Sequence, residues 1–553
     1  MQSINLGNNK LTLLDNIKLK IKNKYKTNTF LKFLAFSIII ISYLRSFWIS
    51  DDSLITARII INSLNGYGPV FNIGDNVQAF THPLWFLINY LLTFYSGNVI
   101  LSYFLVSTIS ITLSIIFIIY DLKTSISIAL LPFLWCLSFG IRDFSSSGLE
   151  NTLSIFLISF ILFIISRNTN LNRSFLVVFL LGLINLNRLD TSLITFPFYI
   201  FCIKEIYLFS RNKIKNIFIS LSIYLSPLII YYLWSSNFYN YILPNTYFAK
   251  TNTSIGRIEL ILQGLIYVYK SIFHSYLLLF VCLTIFILIA LSRNKLIIYS
   301  YFNKLILFTY KSKIEKSIQI FILSIISSII YLIYTVWIGG DFMIGRFLSF
   351  PAATILYSFI LLIDNIIIEN NVKSNRFNYL LILVFIAPLL IFSTPQCQSN
   401  KNLACETISA PRAYKISDLG NGIVNERTFY VLFRGKYGVG DLYQKASVNR
   451  SKIILSDFNY RKYTKSPTIM CGLLGGESLN KIDEYIIDSC GLTDPFLARS
   501  IYQPRNDWRI GHFDRRVPLL YIGSIIRAEN LFPKESKEYF LLNKVWSKTR
   551  KDR

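Results

Sequence analysis

The chain has 553 residues, of which 53% are hydrophobic and only 16% are charged. Soluble domains carry about 25% charged residues, so this composition excludes an ordinary soluble protein and favours a polytopic membrane protein. The net charge of +26 does not indicate nucleic-acid binding, because the basic residues are scattered over loops on both predicted faces. Membrane topology and anionic lipid headgroups account for such a surplus.

Long apolar runs recur over the first 393 residues. Since a spanning helix needs about 20 apolar residues, we expect about 11 transmembrane helices, within a range of about 10 to 13. Pro83–Tyr95 is a shorter run that fits either a short span or an interfacial helix. If it crosses the membrane, a further helix is missing before Arg142. The predicted spans are Leu31–Ser50, Val99–Tyr120, Ser125–Phe139, Thr152–Ile165, Phe175–Leu186, Leu193–Phe209, Ile217–Trp234, Tyr276–Leu291, Ser317–Trp337, Phe347–Ile363 and Leu380–Ser393.

The placement of positive charge predicts the orientation of the chain. Residues 1–30 form a basic arm, and the loops Lys204–Lys215 and Arg293–Lys316 are also basic. Cytoplasmic loops carry an excess of Lys and Arg, so the sequence predicts a multi-pass protein of the plasma (inner) membrane with a cytoplasmic N-terminus. The segments predicted on the outer side are the loops around Asp51, Arg142–Glu150, Arg188–Asp190, Pro244–Arg257 and Trp337–Arg346, and the chain from Thr394 onward.

The composition changes near Thr394, where long apolar runs stop and short alternating stretches such as Lys452–Asp457 and Thr468–Leu474 begin. We therefore predict a transmembrane domain over residues 31–393, with a first outer loop at 51–82, and a soluble extracytoplasmic α/β domain over 394–553. Four cysteines lie in this last part, and an oxidising compartment would allow two disulfides. The simplest pairing joins Cys397 to Cys405 and Cys471 to Cys490, although the sequence does not fix it. No zinc-binding pattern is present.

Asp51 and Asp52 lie where the first apolar run ends. A charged side chain at mid-bilayer costs roughly 2.5–3.5 kcal/mol, so we place this pair at the membrane–water boundary. The other predicted outer loops also carry acids and bases, which topology alone does not explain. Single loop ion pairs or helix caps are the plain alternative, but together the groups favour a polar cavity that opens outward. They are Asp51, Asp52, Arg58, His82, Arg142, Asp143, Glu150, Arg188, Asp190, Asn245, Lys250, Asp341 and Arg346.

The stretch Asp51-Asp-Ser-Leu-Ile-Thr-Ala-Arg58 resembles the first outer loop of GT-C glycosyltransferases, polytopic enzymes that use polyprenyl-phosphate sugars. Within that group the chain looks most like the arabinofuranosyltransferases that add terminal residues to cell-wall arabinan. Eight blocks match in chain order between Asp51 and Phe513. The further blocks are Asn65–Asn72 with Gln78–Trp85, Ser147–Glu150 ("SGxE"), Arg188–Asp190 ("RxD"), Pro244–Lys250 ("PNTxxAK"), Gly339–Arg346 ("GGDFMxGR"), Gly491–Pro495 ("GLTDP") and Trp508–Phe513 ("WRIGHF").

The resemblance implies a GT-C fold and transfer of a sugar from a polyprenyl-phosphate donor to a cell-envelope glycan or glycolipid acceptor. One carboxylate of the Asp51–Asp52 pair would be the catalytic base, and the resemblance places Asp51 slightly ahead. Trp508 and His512 are candidates for the acceptor, although packing of Trp508 in a domain core is the plainer interpretation. The candidates for donor phosphate or sugar are Arg58, His82, Glu150, Arg188, Asp190, Asn245, Lys250, Asp341 and Arg346.

Several alternatives stay open at this point. A histidine before proline, as at His82, is more often structural than ligand-binding. The acids leave room for a divalent cation, but no ligand spacing demands one and no cofactor is predicted. Gln78-Ala-Phe80 replaces a segment in which the family usually carries a glutamate, so arabinose as the transferred sugar follows from the nearest resemblance only. A transporter or flippase of lipid-linked glycans is the alternative function, although it predicts paired repeats that we do not find.

Overall fold

Apolar helices dominate the computed structural model, which describes residues 28–167, 170–274, 313–369, 407–435, 438–448, 466–505 and 508–550. Six of them are long and apolar enough to cross a membrane: Asn28–Ser46, Val99–Asp121, Leu189–Phe209, Lys213–Tyr239, Lys313–Trp337 and Ser349–Glu369. Ser125–Leu137, Asn151–Ile165 and Leu171–Asn187 are shorter apolar helices. This confirms a mostly helical, polytopic protein. The total number of spans stays a prediction, and the predicted spans Tyr276–Leu291 and Leu380–Ser393 lie outside the described residues.

The described helices are numbered here in chain order. In chain order they are α1 (Asn28–Ser46), α2 (Asp51–Leu64), α3 (Pro83–Ser96), α4 (Val99–Asp121), α5 (Ser125–Leu137), α6 (Phe139–Phe144), α7 (Asn151–Ile165), α8 (Leu171–Asn187), a 3-10 turn (Leu189–Thr191), α9 (Ser192–Phe209), α10 (Lys213–Tyr239), α11 (Asn245–Thr251), α12 (Arg257–His274), α13 (Lys313–Trp337), α14 (Ser349–Glu369), α15 (Ala410–Ser417), α16 (Glu426–Arg434), α17 (Leu442–Lys445), α18 (Leu474–Asn480), α19 (Pro495–Arg499), α20 (Leu519–Arg527) and α21 (Lys537–Thr549). The strands are β1 (Thr468–Met470) and β2 (Ile486–Asp488).

The first span ends four residues before the predicted Ser50, since α1 ends at Ser46 and a new helix, α2, starts at Asp51. Ser50 caps α2 by accepting a hydrogen bond from the backbone N–H of Ser53, and two acids in the first turn suit the positive end of the helix. The predicted outer loop 51–82 therefore opens with a packed helix and not with irregular chain.

Helix α3 bears on the alternative left open for Pro83–Tyr95 and favours an interfacial position. Its 14 residues extend for about 21 Å, which is short of the roughly 30 Å hydrocarbon core. Its buried residues Trp85, Asn89 and Thr93 recur every four positions, as expected for a helix that packs on one face only. An interfacial α3 also removes the need for an additional helix before Arg142.

The membrane helices differ in how much surface they leave for lipid. Helix α14 is central, with 78% of its most apolar 18-residue stretch buried, whereas only 17% of the corresponding stretch of α10 is buried. Helix α13 packs on α14, α4 on α7, and α8 on both α9 and α10. On α10 the side chains of Ile230 and Leu233 are exposed, and such apolar exposure is favourable only where lipid covers it.

Polar groups collect at both ends of the helix bundle. At one end Arg167 pairs with Asp121, and Asp364 accepts hydrogen bonds from the backbone of Lys123 and Thr124. At the other end α2, α7 and the loop before α14 meet, because Asp52 and Glu150 both contact Arg346. The loops predicted on the outer side therefore share one end of the bundle.

The described part of the C-terminal segment is largely helical. Its sheet has two parallel three-residue strands, with Thr468 beside Ile486 and Met470 beside Asp488. The predicted alternating stretch Thr468–Leu474 is wrong beyond Met470, because Leu473 takes a left-handed conformation (φ 56°) and α18 starts at Leu474. Lys452–Asp457, Cys397 and Cys405 lie outside the described residues. Cys471 and Cys490 form the disulfide of the simplest predicted pairing.

The C-terminal segment, from Thr394 onward, shares a hydrophobic core with loops of residues 31–393 that are predicted on the outer side. Trp48, Phe144 and Phe342 cluster there with Tyr430 and Phe513. A second core, which includes Tyr485, Phe496 and Tyr521, belongs to the C-terminal segment alone. The polar end of the helix bundle is thus covered by protein and not only by solvent.

Candidate functional site

Asp51 and Asp52 are the first two residues of α2, and their carboxylates contact different parts of the molecule. Asp51 accepts hydrogen bonds from the backbone N–H groups of Gly475 (2.6 Å) and Gly476 (2.9 Å). It also forms an ion pair with Arg434 at 3.0 Å. Its side chain is only 9% exposed. The Asp51 carboxylate is therefore occupied in holding α18 and α16 against α2.

Asp52 lies on the other side of the helix start. Its Oδ2 is 3.1 Å from Nη1 of Arg346, and 29% of its side chain is exposed. Burial among the surrounding protein raises the pKa of Asp52 above its ordinary value, against the opposing charge of Arg346, and the carboxylate of Asp341 raises it further. An accessible carboxylate with raised proton affinity is suited to accept a proton.

Glu150 is the buried centre of the cluster, with a side-chain exposed fraction of 1%. Its Oε1 lies 2.9 Å from Nη1 of Arg188 and 3.5 Å from Nη2 of Arg346. Burial alone would raise the pKa of Glu150, but Arg346 and its other neighbours lower it to about 2. The turn that carries it needs Gly148, whose φ is +76° and where a Cβ would lie 2.8 Å from Ser53 Oγ.

Arg188 is held in a fixed orientation from two sides. Besides Glu150 it contacts Asp190, whose Oδ1 accepts from Arg188 Nε at 2.7 Å. Asp190 Oδ2 in turn accepts a hydrogen bond from the hydroxyl of Tyr331. The guanidinium carbon of Arg188 lies 4.6 Å from the centre of the Phe347 ring, an arrangement that favours the charged group.

Asp341 and Arg346 belong to the loop between α13 and α14. Asp341 Oδ2 is 3.7 Å from Nη1 of Arg346, and Asp341 Oδ1 accepts from the backbone N–H of Phe342. Gly340 has a φ of +75°, and a Cβ there would lie 2.5 Å from Tyr267. This loop therefore requires glycine, since the backbone conformation and the close approach of Tyr267 both exclude a side chain.

His82 and Lys250 complete the side of the cluster that comes from the membrane half. His82 Nε2 is 2.9 Å from Thr56 Oγ1, and Nδ1 is 3.4 Å from Glu150 Oε2. Burial lowers the pKa of His82 to about 4, so the ring is neutral at pH 7. Lys250 follows in the last turn of α11, and its side chain is exposed. Its charge acts on Asp341 and Asp52.

The C-terminal segment contributes to the same cluster. The ring of His512 packs edge-on against Phe342 at 4.3 Å, and burial, with Arg509 and Lys250 nearby, lowers the pKa of His512 to about 3. Trp508 is partly buried against the core shared with the outer loops, which supports the packing interpretation. Arg509 and Glu426 are additional charged residues of this region that the sequence did not single out. Arg509 lies inside the block Trp508–Phe513 but had no proposed role, and no motif marks Glu426. Only the fold brings the charge of Arg509 to act on Glu426.

Two predicted site residues lie outside the cluster. Arg58 is fully buried and donates hydrogen bonds to the carbonyl oxygens of Phe71, Ser478, Lys481 and Glu484. Asn245 Nδ2 contacts the carbonyls of Gly491, Leu492 and Asp494. Both side chains join the membrane half to the C-terminal segment.

Gln78, the departure from the family pattern, is bound to α10. Its Oε1 accepts from Ser235 Oγ at 2.9 Å, and its Nε2 donates to the hydroxyl of Tyr231 at 2.7 Å. The side chain is buried. An amide is suited to this position because it both donates and accepts.

Buried polar atoms without a hydrogen-bond partner among the described residues are frequent in this cluster, and they include Arg346 Nε, Asp341 Oδ2, Glu426 Oε2, Arg434 Nη1 and His512 Nδ1. Such atoms are costly unless a ligand or water satisfies them. Across the described parts of the chain, no three His, Cys, Asp or Glu residues are grouped so as to hold a metal ion. The arrangement offers guanidinium groups for an anion and one accessible carboxylate for a proton.

The comparisons with known proteins give short matches. A stretch of 38 residues is 58% identical to a terminal beta-(1->2)-arabinofuranosyltransferase of Corynebacterium glutamicum, covering 7% of this chain and 6% of that protein. A stretch of 56 residues is 43% identical to the protein of the same description in Mycobacterium tuberculosis, covering 10% of this chain and 9% of that protein. No family model and no solved structure matches the chain. The matches support a relationship to arabinofuranosyltransferases and suggest a membrane glycosyltransferase.

Proposed function

We propose that the chain is a GT-C glycosyltransferase that moves a sugar from a polyprenyl-phosphate donor to a cell-envelope glycan or glycolipid. One observation carries the proposal: an accessible carboxylate, Asp52, lies 3.1 Å from Arg346, and Glu150 holds that arginine together with Arg188. Transfer from a sugar phosphate requires a base to accept the hydroxyl proton of the acceptor and cations to stabilise the leaving phosphate. Asp52 and the two oriented guanidinium groups supply these. The short matches to terminal arabinofuranosyltransferases favour arabinofuranose as the sugar.

The reaction assigns a role to each side of the cluster. The acceptor oxygen attacks the anomeric carbon of the donor sugar while Asp52 takes the hydroxyl proton. The bond from that carbon to the phosphate oxygen breaks, and its electron pair leaves with the polyprenyl phosphate. Arg188, Arg346 and the exposed Lys250 stabilise the phosphate charge by charge-assisted hydrogen bonds. Asp190, Asp341 and Glu150 hold the arginines in place, and the neutral His82 lies 3.4 Å from Glu150 without a hydrogen bond to it.

The geometry favours Asp52 over Asp51 as the base, the reverse of the order that the family resemblance gave. Asp51 already accepts two backbone hydrogen bonds and one ion pair, so its lone pairs are committed. Arg58 and Asn245 bind backbone carbonyls of the C-terminal segment. We therefore propose that they hold this segment against the membrane helices and do not bind the donor. His512 stays the candidate for acceptor contact on the C-terminal side.

We place the cluster on the extracytoplasmic side of the plasma membrane. The basic loop Lys204–Lys215 and the segment that begins α13 lie at the opposite end of the bundle, where Lys316 donates to the carbonyl of Arg167. The positive-inside bias assigns that end to the cytoplasm. The C-terminal segment then covers the cluster from outside, where an envelope acceptor would arrive.

The test is transfer by purified full-length protein in lipid nanodiscs, with a radiolabelled polyprenyl-phosphate arabinofuranose and an oligoarabinan acceptor. We expect Asp52→Asn to lower the rate by a factor of about 10²–10⁴, as for loss of a general base. Asp51→Asn should lower thermal stability more than the rate. Asp441→Asn, at an aspartate that is 71% exposed, is the matched control. Wild-type turnover by Asp52→Asn would refute the assignment of the base. Movement of the lipid-linked donor across the bilayer without transfer would favour a flippase.

A further inference from the structure

Helix α20 of the C-terminal segment presents apolar side chains on the face that points away from the protein. Tyr521 and Ser524 are buried, whereas Leu519 is 83% exposed and Ile526 is 58% exposed. Because an α-helix turns once in 3.6 residues, Leu519 and Ile526 share one face and Tyr521 lies opposite. A helix on the surface of a soluble domain has polar residues outward. We name the outward apolar residues Leu519, Ile522 and Ile526 the outer stripe of α20.

Two hydrogen bonds hold α20 and its neighbour α21 beside the C-terminal end of α10. Asn240, directly after α10, donates from Nδ2 to the carbonyl of Lys548 in α21 at 2.6 Å. Arg515, four residues before α20, donates from Nη2 to the carbonyl of Ala249 in α11 at 2.7 Å. Since α11 starts only five residues after Asn240, the start of α20 and the end of α21 both lie close to the end of α10.

The C-terminal end of α10 lies at the membrane surface. The 27 residues of this helix extend for about 40 Å, which exceeds the roughly 30 Å hydrocarbon core. Trp234, near this end, is exposed, and so is Ile242 just beyond it. Exposed tryptophan is typical of the level of the lipid headgroups. The lipid-facing surface of α10 therefore continues toward the helices of the C-terminal segment.

The charges around α20 match a surface of anionic headgroups. Residues 516–527 include two arginines and no acidic residue. Arg516 and Arg527 are both exposed, one before the outer stripe and one at the end of the helix. Lys548 lies beside the aromatic ring of Tyr241, with Nζ 4.7 Å from the ring centre. Apolar side chains flanked by basic residues are typical of a helix that lies in the plane of a membrane surface.

We propose that α20 lies on the same membrane that the helix bundle spans, in the leaflet that the C-terminal end of α10 reaches. The outer stripe enters the headgroup and acyl boundary, and Arg516 and Arg527 contact anionic headgroups. The lipid bilayer is the partner of this surface because the lipid-facing side of α10 leads to it and the flanking charge fits it. Exposed apolar side chains that occur singly need no explanation, but a stripe along a whole helix does. This inference does not depend on the proposed reaction.

The experiment measures where α20 lies, with full-length protein in nanodiscs of phosphatidylcholine and phosphatidylglycerol. A nitroxide is attached through Leu519→p-acetylphenylalanine, whose ketone reacts independently of the cysteines. Electron paramagnetic resonance then compares access by oxygen, which concentrates in lipid, with access by a water-soluble nickel chelate. The matched control is Glu535→p-acetylphenylalanine, at an exposed acid between α20 and α21. We expect the ratio of oxygen access to nickel access to be several-fold higher at position 519 than at position 535.

A ratio at position 519 equal to that at 535 would overturn the proposal, because the outer stripe would then face water. Protection of position 519 from both reagents would also overturn it, since protein would then cover the stripe. A second measurement needs no substitution: wild-type protein is photolabelled in nanodiscs with phosphatidylglycerol that carries a diazirine in its acyl chain. Lipid adducts are expected on the peptide that contains residues 519–526. Adducts on the spanning helices alone would contradict the proposal.

Discussion

Two adjacent glycines of α18 allow a sharp test of how the C-terminal segment positions the aspartates. Gly475 and Gly476 both donate backbone hydrogen bonds to the Asp51 carboxylate. A Cβ added at Gly475 would lie 1.9 Å from the backbone oxygen of Asp51 and 2.9 Å from Leu54 Cβ. A Cβ added at Gly476 would instead lie 2.1 Å from Nη2 of Arg434. The same substitution therefore meets fixed backbone at one position and the end of a flexible side chain at the other.

The expected changes in the free energy of unfolding therefore differ between the two variants. Ordinary van der Waals contacts begin at 3.4 Å, so Gly475→Ala must push the start of α2 or α18 aside by about 1.5 Å to relieve the contact with the Asp51 oxygen. Overpacking of this kind costs about 1–3 kcal/mol. Gly476→Ala displaces the Arg434 guanidinium, but both backbone hydrogen bonds to Asp51 remain, and alanine gains about 0.5–1 kcal/mol over glycine within a helix. We expect Gly475→Ala to lose stability and transfer together, because Asp52 follows Asp51 directly.

The assay compares thermal unfolding midpoints and transfer rates of the two variants in the same nanodiscs. Gly476→Ala is the matched control, since it is one residue away in the same helix. Gly475→Ala should unfold at a lower temperature and transfer more slowly than Gly476→Ala. If both variants match the wild type in stability and transfer rate, α18 does not support the start of α2 and does not position the aspartates.

Two further outcomes follow from the ion pairs and hydrogen bonds of the outer face. Arg58→Lys should lower the unfolding midpoint in a thermal scan, because each buried carbonyl left unpaired costs about 1–3 kcal/mol. The transfer rate per folded molecule should change little. A large loss of transfer rate at unchanged stability would instead place Arg58 in the site. Arg346→Gln should move the acid limb of the pH–rate profile to higher pH, since this arginine opposes the raised pKa of Asp52. An acid limb that stays in place would mean that Asp52 is not the group that titrates.

The sequence was most informative about the membrane half. Among the described residues, apolar runs coincide with observed helices, closely for Val99–Tyr120 against Val99–Asp121 and less closely for Phe347–Ile363 against Ser349–Glu369, because a spanning helix must be predominantly apolar. Side chains from the loops predicted on the outer side do meet, since Asp52 and Glu150 both contact Arg346, and Glu150 also contacts Arg188. The alternating stretch Thr468–Leu474 forms a strand only over Thr468–Met470, and the left-handed backbone at Leu473 that precedes α18 carries no strong sequence signal.

Composition and periodicity by themselves determined that this chain is a helical membrane protein with charged loops on one side, because lipid imposes that pattern on every spanning segment. Tertiary structure alone decided which of two neighbouring aspartates has the more solvent-exposed carboxylate. Asp51 is bound by residues more than 380 positions away, and Arg58 by residues 420 or more away. Contacts at such separations follow from how two halves of the chain pack, and no local pattern records them.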